Sequence, residues 1–298
     1  MTVAWIAADW GTTRLRVWAM DASGGVLASA ESDSGMGALT PDAFEPALLA
    51  LVGGWLGPGQ TPVMICGMAG ARQGWVEAPY RPVPCPPLGA GRTVAPTRDP
   101  RLSVTILPGL CQTEPPDVMR GEETQIAGFL AAEPGFSGTL CLPGTHAKWV
   151  RIAAGQVLRF RTAMTGELFA LLGRQSVLRH SMDDRFDAAA FDTAVAEAVA
   201  SAEGLPIALF GLRAAALLTP AGPGVVRARL SGLLIGAEIA ATCSLRGDGP
   251  VTIIGADALA RLYLRALSLA GVAARTYDGA RLALAGLAAA REGPEDTP

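Results

Sequence analysis

Two short stretches in opposite halves of the chain repeat one pattern. D-W-G-T-T-R-L-R-V at 9–17 can be laid over L-P-G-T-H-A-K-W-V at 142–150. Each stretch follows an apolar strand, turns at a Gly-Thr pair and continues as a second strand. One Gly-Thr turn is ordinary, because both residue types are common in turns. Two in matching positions predict a duplicated architecture with a cleft between the halves.

Size and composition set the broad class of protein. A chain of 298 residues with half of them hydrophobic suits two lobes with substantial cores. The net charge of -3 is spread without a basic stripe, which argues against a nucleic-acid partner. The first residues lack a basic leader pattern, no apolar run reaches membrane-spanning length, and the five cysteines form no C-x-x-C pair. These features predict a cytoplasmic protein that is not in a membrane.

Familiar nucleotide-binding motifs are missing from the sequence. Lys148 is the only lysine among 24 basic residues, and it does not lie in a G-x-x-x-x-G-K-[ST] pattern. A P-loop and the strand lysine of protein kinases are therefore excluded. The dinucleotide pattern G-x-G-x-x-G does not occur either.

The Gly-Thr turns supply another way to bind phosphate. Backbone N–H groups of a tight turn point one way and form a nest for phosphate oxygens, and glycine permits close approach. Asp9, at the end of a buried strand, is a candidate Mg²⁺ ligand, since magnesium is often held by one or two carboxylates plus phosphates. A plain β-turn is the alternative for one hairpin, and the second hairpin favours phosphate binding. The turn candidates are Gly11, Thr12, Thr13, Gly144, Thr145 and His146.

Two adjacent acids, Glu122 and Glu123, open a helix in R-G-E-E-T-Q-I-A-G-F at 120–129. Acids at a helix start often only complement the helix dipole. The functional alternative is a general base, because phosphoryl transfer to a hydroxyl needs a carboxylate that accepts or orients the alcohol proton. The residues alone leave these alternatives open.

The order of these motifs resembles the actin–hexokinase–Hsp70 superfamily. More specifically, the segments at 66–80, 119–125, 143–150 and 162–169 resemble the 2-dehydro-3-deoxygalactonokinase family, over about residues 3 to 290. The resemblance implies an α/β, two-lobed actin-like ATPase (ribonuclease H-like) fold with a central cleft. It also implies ATP and Mg²⁺ as cofactors, and phosphorylation of the 6-hydroxyl of 2-dehydro-3-deoxy-D-galactonate in galactonate catabolism. The expected lobes are 1–112 and 113–298, with a last helix able to pack back on the first lobe.

The resemblance assigns roles to Glu122, Glu123, Gly255 and Ala256, and the residues themselves suggest roles for Gly232 and Lys148. It places the catalytic base at Glu122, with Glu123 second. Gly255 and Ala256 resemble the adenosine loop, and Gly232 is a candidate for contact with adenine, with helix packing as the alternative. Lys148 is expected to meet a phosphoryl group or the sugar carboxylate, against the alternative of a chance lysine on a strand surface.

A keto-deoxy sugar acid is anionic, so its pocket needs a cation and polar donors. Arg72 is expected to grip the carboxylate through two hydrogen bonds, with Gln73 beside it, while Trp75 and Tyr80 are expected to wall the sugar. Glu167 is expected to bind hydroxyls. The alternatives are a solvated loop arginine for Arg72 and a dipole-complementing helix acid for Glu167.

Departures from the superfamily pattern leave rival functions open. Leu142 stands where many relatives carry an acid, which would leave the metal to Asp9 and the ATP oxygens. The rivals are a kinase for another keto-deoxy sugar acid such as 2-dehydro-3-deoxygluconate, an exopolyphosphatase-type phosphatase, and a non-catalytic sugar-acid sensor.

Overall fold

The computed structural model describes residues 2–201, 204–219, 222, 224–247 and 249–293, and it contains two compact units. One unit comprises Met1–Phe136, Ala153–Arg159 and Gly279–Pro298, and the other comprises Ser137–Ile152 and Phe160–Asp278. The units therefore interleave along the chain. Residues 113–136 and the last helix belong to the same unit as the N-terminal segment. This division differs from the expected lobes 1–112 and 113–298.

The first unit is built on a six-stranded sheet in the order β3-β2-β1-β4-β7-β6. β1 is antiparallel to β2 and parallel to β4, which is in turn parallel to β7. Every residue of β1 is buried, as expected for a central strand covered on both faces. The strands are β1 Trp5–Trp10, β2 Leu15–Met20, β3 Val26–Ser32, β4 Thr61–Gly67, β6 Thr93–Val94 and β7 Leu102–Ile106.

A small sheet and three helices complete the first unit. The sheet has the order β5-β8-β9, from Tyr80–Pro82, Gly109–Thr113 and Pro116–Met119. The helices are α1 Phe44–Val52, α2 Glu122–Ala132 and α9 Gly279–Glu292. α2 and α9 pack closely because glycines face each other's backbones: a Cβ on Gly286 would lie 1.9 Å from the Thr124 carbonyl oxygen.

The second unit repeats the strand order of the first, as β12-β11-β10-β13-β14. β10 is antiparallel to β11 and parallel to β13, which is parallel to β14. The duplicated architecture predicted from the two hairpins is therefore confirmed. The strands are β10 Gly138–Leu142, β11 Ala147–Ala153, β12 Gln156–Ala163, β13 Val251–Gly255 and β14 Ala274–Asp278.

Helices of the second unit surround α6, most of whose residues are buried. α4 packs on α6 at two glycines, since a Cβ on Gly232 would lie 2.5 Å from the Phe191 carbonyl oxygen and one on Gly236 would lie 2.8 Å from that of Val195. None of the described helices is long and apolar enough to span a membrane. The helices are α3 Thr165–Gln175, α4 Ala188–Ala200, α5 Leu205–Leu218, α6 Val225–Ala241, α7 Cys243–Arg246 and α8 Asp257–Leu269.

Candidate active site

Asp9 lies near the end of β1 and is buried among polar partners. It is opposite Arg16 in the β1–β2 pair, and Arg16 Nη2 lies 3.1 Å from Asp9 Oδ2. The Cys66 thiol donates to Asp9 Oδ1 at 3.8 Å. Burial raises the pKa of Asp9, the charge of Arg16 opposes that effect, and the negative charge of Glu122 adds to it. Asp9 is therefore a carboxyl whose ionisation depends on nearby charges.

The first Gly-Thr turn is held from behind by the loop at 35–37. The Gly11 carbonyl accepts from the Met36 N–H at 3.0 Å, and the Thr12 carbonyl accepts from the Gly37 N–H at 2.9 Å. With both carbonyls tied back, the turn is braced, while the side chains of Thr12 and Thr13 are exposed. This arrangement suits a phosphate nest.

Two glycines with positive φ bring the start of α2 against the end of β1. Gly67 has φ +90°, and a Cβ there would lie 2.5 Å from the Trp10 carbonyl oxygen. Gly121 has φ +106°, and its Cβ would lie 3.1 Å from the Gly67 Cα. Only glycine tolerates both the conformation and the contact at these positions. The predicted base and the predicted metal ligand, Glu122 and Asp9, are thereby brought close enough for their charges to interact.

The two neighbouring glutamates occupy different environments. Glu123 is 1% exposed and accepts from the Gly121 N–H at 2.7 and 2.9 Å and from the Thr124 hydroxyl at 3.1 Å. Burial, with a smaller effect of the Glu122 charge, raises the pKa of Glu123 to about 8. Glu122 is only half-buried, and its Oε2 accepts from the Arg120 N–H at 3.0 Å. Of the two acids, Glu122 is the one that a ligand can reach.

The loop after β4 separates two predicted substrate residues from a third. Arg72 and Gln73 are exposed. Trp75 is instead buried in the hydrophobic core, with its ring centroid 6.3 Å from those of Trp10 and Phe44. Its indole N–H donates to a backbone carbonyl at 3.2 Å. The prediction that Trp75 lines the sugar pocket is therefore corrected. Although Trp75 belongs to a loop, its side chain packs into the hydrophobic core with Trp10 and Phe44.

Tyr80 and Arg120 form a pair that the sequence pattern did not single out. Tyr80 is 37% exposed, and the Arg120 guanidinium carbon lies 4.2 Å from its ring centroid. Arg120 Nη2 donates to the Ala78 carbonyl oxygen at 2.7 Å. Composition does not distinguish Arg120, because the chain has 23 arginines. The feature of the sequence that could have indicated its role is its position immediately before Gly121 and Glu122.

The second Gly-Thr turn is packed against the start of α3. The Glu167 N–H donates to the Thr145 carbonyl at 2.9 Å, and a Cβ on Gly166 would lie 2.3 Å from the Gly144 carbonyl oxygen. His146 Nε2 lies 2.5 Å from Glu167 Oε2. Two residues predicted for different ligands, His146 for phosphate and Glu167 for sugar, thus contact each other.

Lys148 is 4% exposed, so the alternative of a chance surface lysine is wrong. Its Nζ donates to the His146 carbonyl oxygen at 3.4 Å. Lys148 lies opposite Leu142 in its hairpin as Arg16 lies opposite Asp9 in the first. The sequence overlay had matched Lys148 with Leu15, one residue away, because the second turn is one residue shorter. Each hairpin therefore places one cation in the same register position.

A cavity of about 290 Å³ in the second unit adjoins the second turn. Its wall is mostly apolar, with Thr165, Arg227, Ser231 and Tyr263 as polar members, and it reaches α8 just after Gly255 and Ala256. Among the described residues that line the cavity, Ser231 is present and its neighbour Gly232 is not. Gly232 instead allows α4 and α6 to pack closely. The lining residues are Gly144, Thr165, Gly166, Phe169, Phe186, Arg227, Ser231, Leu234, Ile235, Ala258, Leu259, Leu262 and Tyr263.

A buried carboxyl, Glu238, holds one side of this cavity. Its Oε1 accepts from Trp149 Nε1 at 2.6 Å, and its Oε2 accepts from the Tyr263 hydroxyl at 2.8 Å and from the Thr165 hydroxyl. Burial raises the pKa of Glu238, and the three donors oppose the rise. The only sequence signal for this network was an acid inside an apolar helix.

The acids of the first unit suit a Mg²⁺ ion that is shared with phosphate and water better than a metal ion held by protein ligands alone. Across the residues that the structure describes, no group of three or more His, Cys, Asp or Glu side chains is arranged to hold a metal ion. Asp9 can offer carboxylate oxygens to a cation, and the charge of Glu122 lies close by. Phosphate oxygens and water would complete the coordination shell, as is common for Mg²⁺.

Each of the two sheets carries a Gly-Thr turn, at the end of β1 in one and of β10 in the other. The repeated strand order is that of the actin-like ATPase fold, and a solved structure at 13% identity shares this fold with a TM-score of 0.51. The family model for 2-keto-3-deoxy-galactonokinase matches residues 9–290, so the chain belongs to that family. The α/β actin-like fold and the family predicted from sequence are both confirmed.

Known relatives agree over almost the whole chain. It is 41% identical to the probable 2-dehydro-3-deoxygalactonokinase of Rhizobium meliloti (strain 1021), over 97% of this chain and 98% of the relative. It is 34% identical to the 2-dehydro-3-deoxygalactonokinase of Escherichia coli (strain K12), over 91% of each chain. A crystal structure from Sinorhizobium meliloti, described as the same kind of kinase, has a TM-score of 0.90 at 40% identity, covering 96% of this chain and 95% of that one.

Proposed function

We propose that this protein transfers the γ-phosphoryl group of ATP to the 6-hydroxyl of 2-dehydro-3-deoxy-D-galactonate, as a cytoplasmic enzyme of galactonate catabolism. The observation that carries the proposal is the half-buried Glu122, whose charge acts on the buried Asp9 near the braced turn at Gly11. Family membership supports the substrate class.

The nucleotide is proposed to bind with its adenosine in the cavity beside Gly144. Apolar walls suit a flat aromatic base, and Ser231 and Arg227 add polar contacts. Gly255 and Ala256 lie at the start of the helix that supplies Leu259 to the wall. Each Gly-Thr turn is proposed as a phosphate-binding turn, because its backbone can provide N–H donors for anionic oxygens.

Asp9 is proposed to hold Mg²⁺, directly or through water. When bound, the ion neutralises charge on the phosphate oxygens. Arg16 keeps a cation beside Asp9 at 3.1 Å, which favours the ionised carboxylate that a metal requires. Lys148, buried in the other hairpin, is proposed to offer its ammonium to a phosphoryl oxygen.

Glu122 is proposed to accept the proton of the 6-hydroxyl. The oxygen of that hydroxyl forms a bond to the γ-phosphorus, the bond from the γ-phosphorus to the bridging oxygen breaks, and ADP leaves with the electron pair. Glu123 does not compete for this role, because its raised pKa keeps it mostly protonated at neutral pH and it is hydrogen-bonded inside the fold. The half-buried acid is thus the one that a substrate hydroxyl meets.

Four exposed or half-buried side chains are proposed to meet the sugar acid. Arg72 and Gln73 offer donors from the exposed loop, and Tyr80 offers a partly exposed ring. Glu167 is proposed to accept from a hydroxyl, with His146 fixing its carboxylate at 2.5 Å.

A coupled assay for ADP tests the function. Purified protein is given ATP, Mg²⁺ and each of a panel of keto-deoxy sugar acids, and the 2-dehydro-3-deoxygalactonate rate is expected to exceed all others. A faster rate with 2-dehydro-3-deoxygluconate would move the substrate to that stereoisomer. Phosphate release from polyphosphate with no sugar-dependent ADP would indicate the phosphatase, and sugar-acid binding without any turnover would indicate a sensor.

A further inference from the structure

Arg120 is a buried cation with incomplete hydrogen bonding, located between β9 and α2. Its side chain is 7% exposed, and Nη2 donates to the Ala78 carbonyl oxygen at 2.7 Å. Within the described part of the chain, Nε and Nη1 are buried and have no hydrogen-bond partner. Leaving buried donors unpaired costs free energy, and the cost is larger for a charged group. The arginine is therefore prepared for an acceptor that the protein itself does not supply.

The loop above Arg120 makes room for the guanidinium. A Cβ on Gly70 would lie 2.9 Å from Arg120 Nη1 and 2.9 Å from Ile106 Cγ2. A larger residue at position 70 would have to displace the guanidinium, the Ile106 side chain or both. This is the same loop that carries Arg72 and Gln73, the exposed donors proposed for the sugar acid.

The backbone N–H of Arg120 and its guanidinium make different contacts. The backbone N–H donates to Glu122 Oε2 at 3.0 Å, while the guanidinium contacts the Ala78 carbonyl oxygen and the Tyr80 ring. The neighbouring acid Glu123 accepts from the Gly121 N–H at 2.7 and 2.9 Å and from the Thr124 hydroxyl at 3.1 Å. Within the described residues, neither acid is a hydrogen-bond partner of Arg120 Nε or Nη1.

We infer that the guanidinium of Arg120 binds the carboxylate of the substrate and determines the preference for an acid over a neutral sugar. This inference rests on the proposed function and deepens it. The Tyr80 ring covers one face of the guanidinium, so the carboxylate is expected to meet the unpaired N–H groups in the guanidinium plane. The backbone of Arg120 meanwhile holds the base Glu122, so one residue connects the anionic end of the substrate to the reacting end.

Arg120 is a better discriminator than the exposed Arg72. An exposed arginine exchanges water for carboxylate at little net gain. A buried one is already desolvated and oriented, and a neutral ligand would leave its N–H groups unpaired. Recognition of this kind rejects the wrong ligand rather than merely favouring the right one.

The test measures kcat/KM for the sugar acid and for the analogue in which a hydroxymethyl group replaces the carboxylate. Wild type is expected to prefer the acid by about a hundredfold or more. Arg120→Met is expected to reduce that preference by about tenfold or more, and Arg120→Lys by less because charge remains without the planar fork. Arg81→Met is the matched control, since Arg81 Nη1 donates to the carbonyl oxygens of Pro86 and Pro87 at 3.0 and 3.5 Å and should leave the preference unchanged.

Each outcome decides between the inference and its rivals. An unchanged preference in Arg120→Met, or loss of the preference in Arg72→Met alone, would overturn the inference. Wild type that phosphorylates no sugar acid would refute the proposed function instead. If Arg120→Met does not fold, Arg120→Lys serves, since it keeps the charge without the planar fork; an unchanged preference there would equally count against Arg120.

Discussion

At the scale of single residues, burial separates the roles of two neighbouring acids. Sequence reasoning reached Glu122 and Glu123 but could not choose between them, since adjacent positions share the same motif. The choice depends on the backbone at Gly121, whose φ of +106° orients the start of α2. That conformation buries Glu123 and leaves Glu122 half-buried. Which side of a helix start faces the interior is a tertiary property that local sequence does not encode.

The acids can be distinguished by a matched pair of amide variants. Glu122→Gln is expected to lower kcat by about a hundredfold or more while ATP still binds, because general-base catalysis contributes on the order of 10²–10⁴. Glu123→Gln is expected to keep most of the turnover, since its neutral amide resembles the protonated acid. The measurement is the coupled ADP assay alongside a nucleotide-binding titration. Near-normal turnover in Glu122→Gln with loss in Glu123→Gln would reverse the assignment.

Glu123 also predicts how stability changes with pH. Its pKa is raised from 4.5 to about 8 in the folded protein, so between these values the native state keeps a proton that the unfolded chain releases. The free energy of unfolding therefore falls as pH rises from about 4.5 to about 8. In Glu123→Gln this contribution disappears. Its stability relative to wild type should grow by up to about 1.4 kcal/mol per pH unit across that window.

Urea denaturation of both proteins at several pH values between 5 and 9 measures that difference. All other titrating groups are common to the two proteins, so their effects cancel in the comparison. Parallel stability curves for wild type and Glu123→Gln would mean that the carboxyl is ionised in the fold at neutral pH, and the assignment of Glu123 as a protonated structural acid would fail.

At the scale of elements, local pattern predicts the two hairpins and the helix that Glu122 and Glu123 open, but not the less regular pieces. α5, Leu205–Leu218, is apolar along most of its length and has no clear 3.6-residue period that would mark it as an amphipathic helix. β8 and β9 are short and separated by prolines, and β14 is largely exposed. Such elements are specified by neighbouring strands rather than by their own residues.

Contacts between elements also explain why Lys148 and Gly232 have other positions in the structure than the sequence pattern indicates. Turn length sets hairpin register, so a Gly-Thr pair alone could not show that Lys148 corresponds to Arg16. Helix contact explains Gly232, whose missing side chain admits the Phe191 carbonyl. The cavity beside it was unpredictable because its wall combines α3, α6 and α8, which meet only through long-range packing.

At the scale of the whole molecule, the family motifs predicted the duplicated fold, whereas the grouping of segments into units depended on packing. α2 joins the first unit through its close contact with α9, from the far end of the sequence. A boundary drawn along the chain cannot express such an interleaved arrangement. Fold recognition therefore succeeded at the level of topology, and the details of each site depended on contacts distant in sequence.

The proposed nucleotide site predicts stabilisation of the folded protein by ATP and Mg²⁺. A ligand that binds only the native state adds RT ln(1 + [L]/Kd), which is about 2.7 kcal/mol at a hundred times Kd. A non-hydrolysable ATP analogue is expected to raise the free energy of unfolding, and Mg²⁺ is expected to raise it further. In Asp9→Asn the metal-dependent part should disappear while the increment from the nucleotide alone persists.

Urea denaturation with the analogue, in the presence of Mg²⁺ or of EDTA, separates these increments. Each variant is compared with its own ligand-free stability, because Asp9→Asn also removes an ion pair with Arg16 and can change the baseline. Cys66→Ser is the matched control, since Cys66 contacts Asp9 Oδ1 without supplying a charge and should leave a metal-dependent increment in place. An Asp9→Asn protein that keeps the full metal increment would show that Asp9 does not hold the ion.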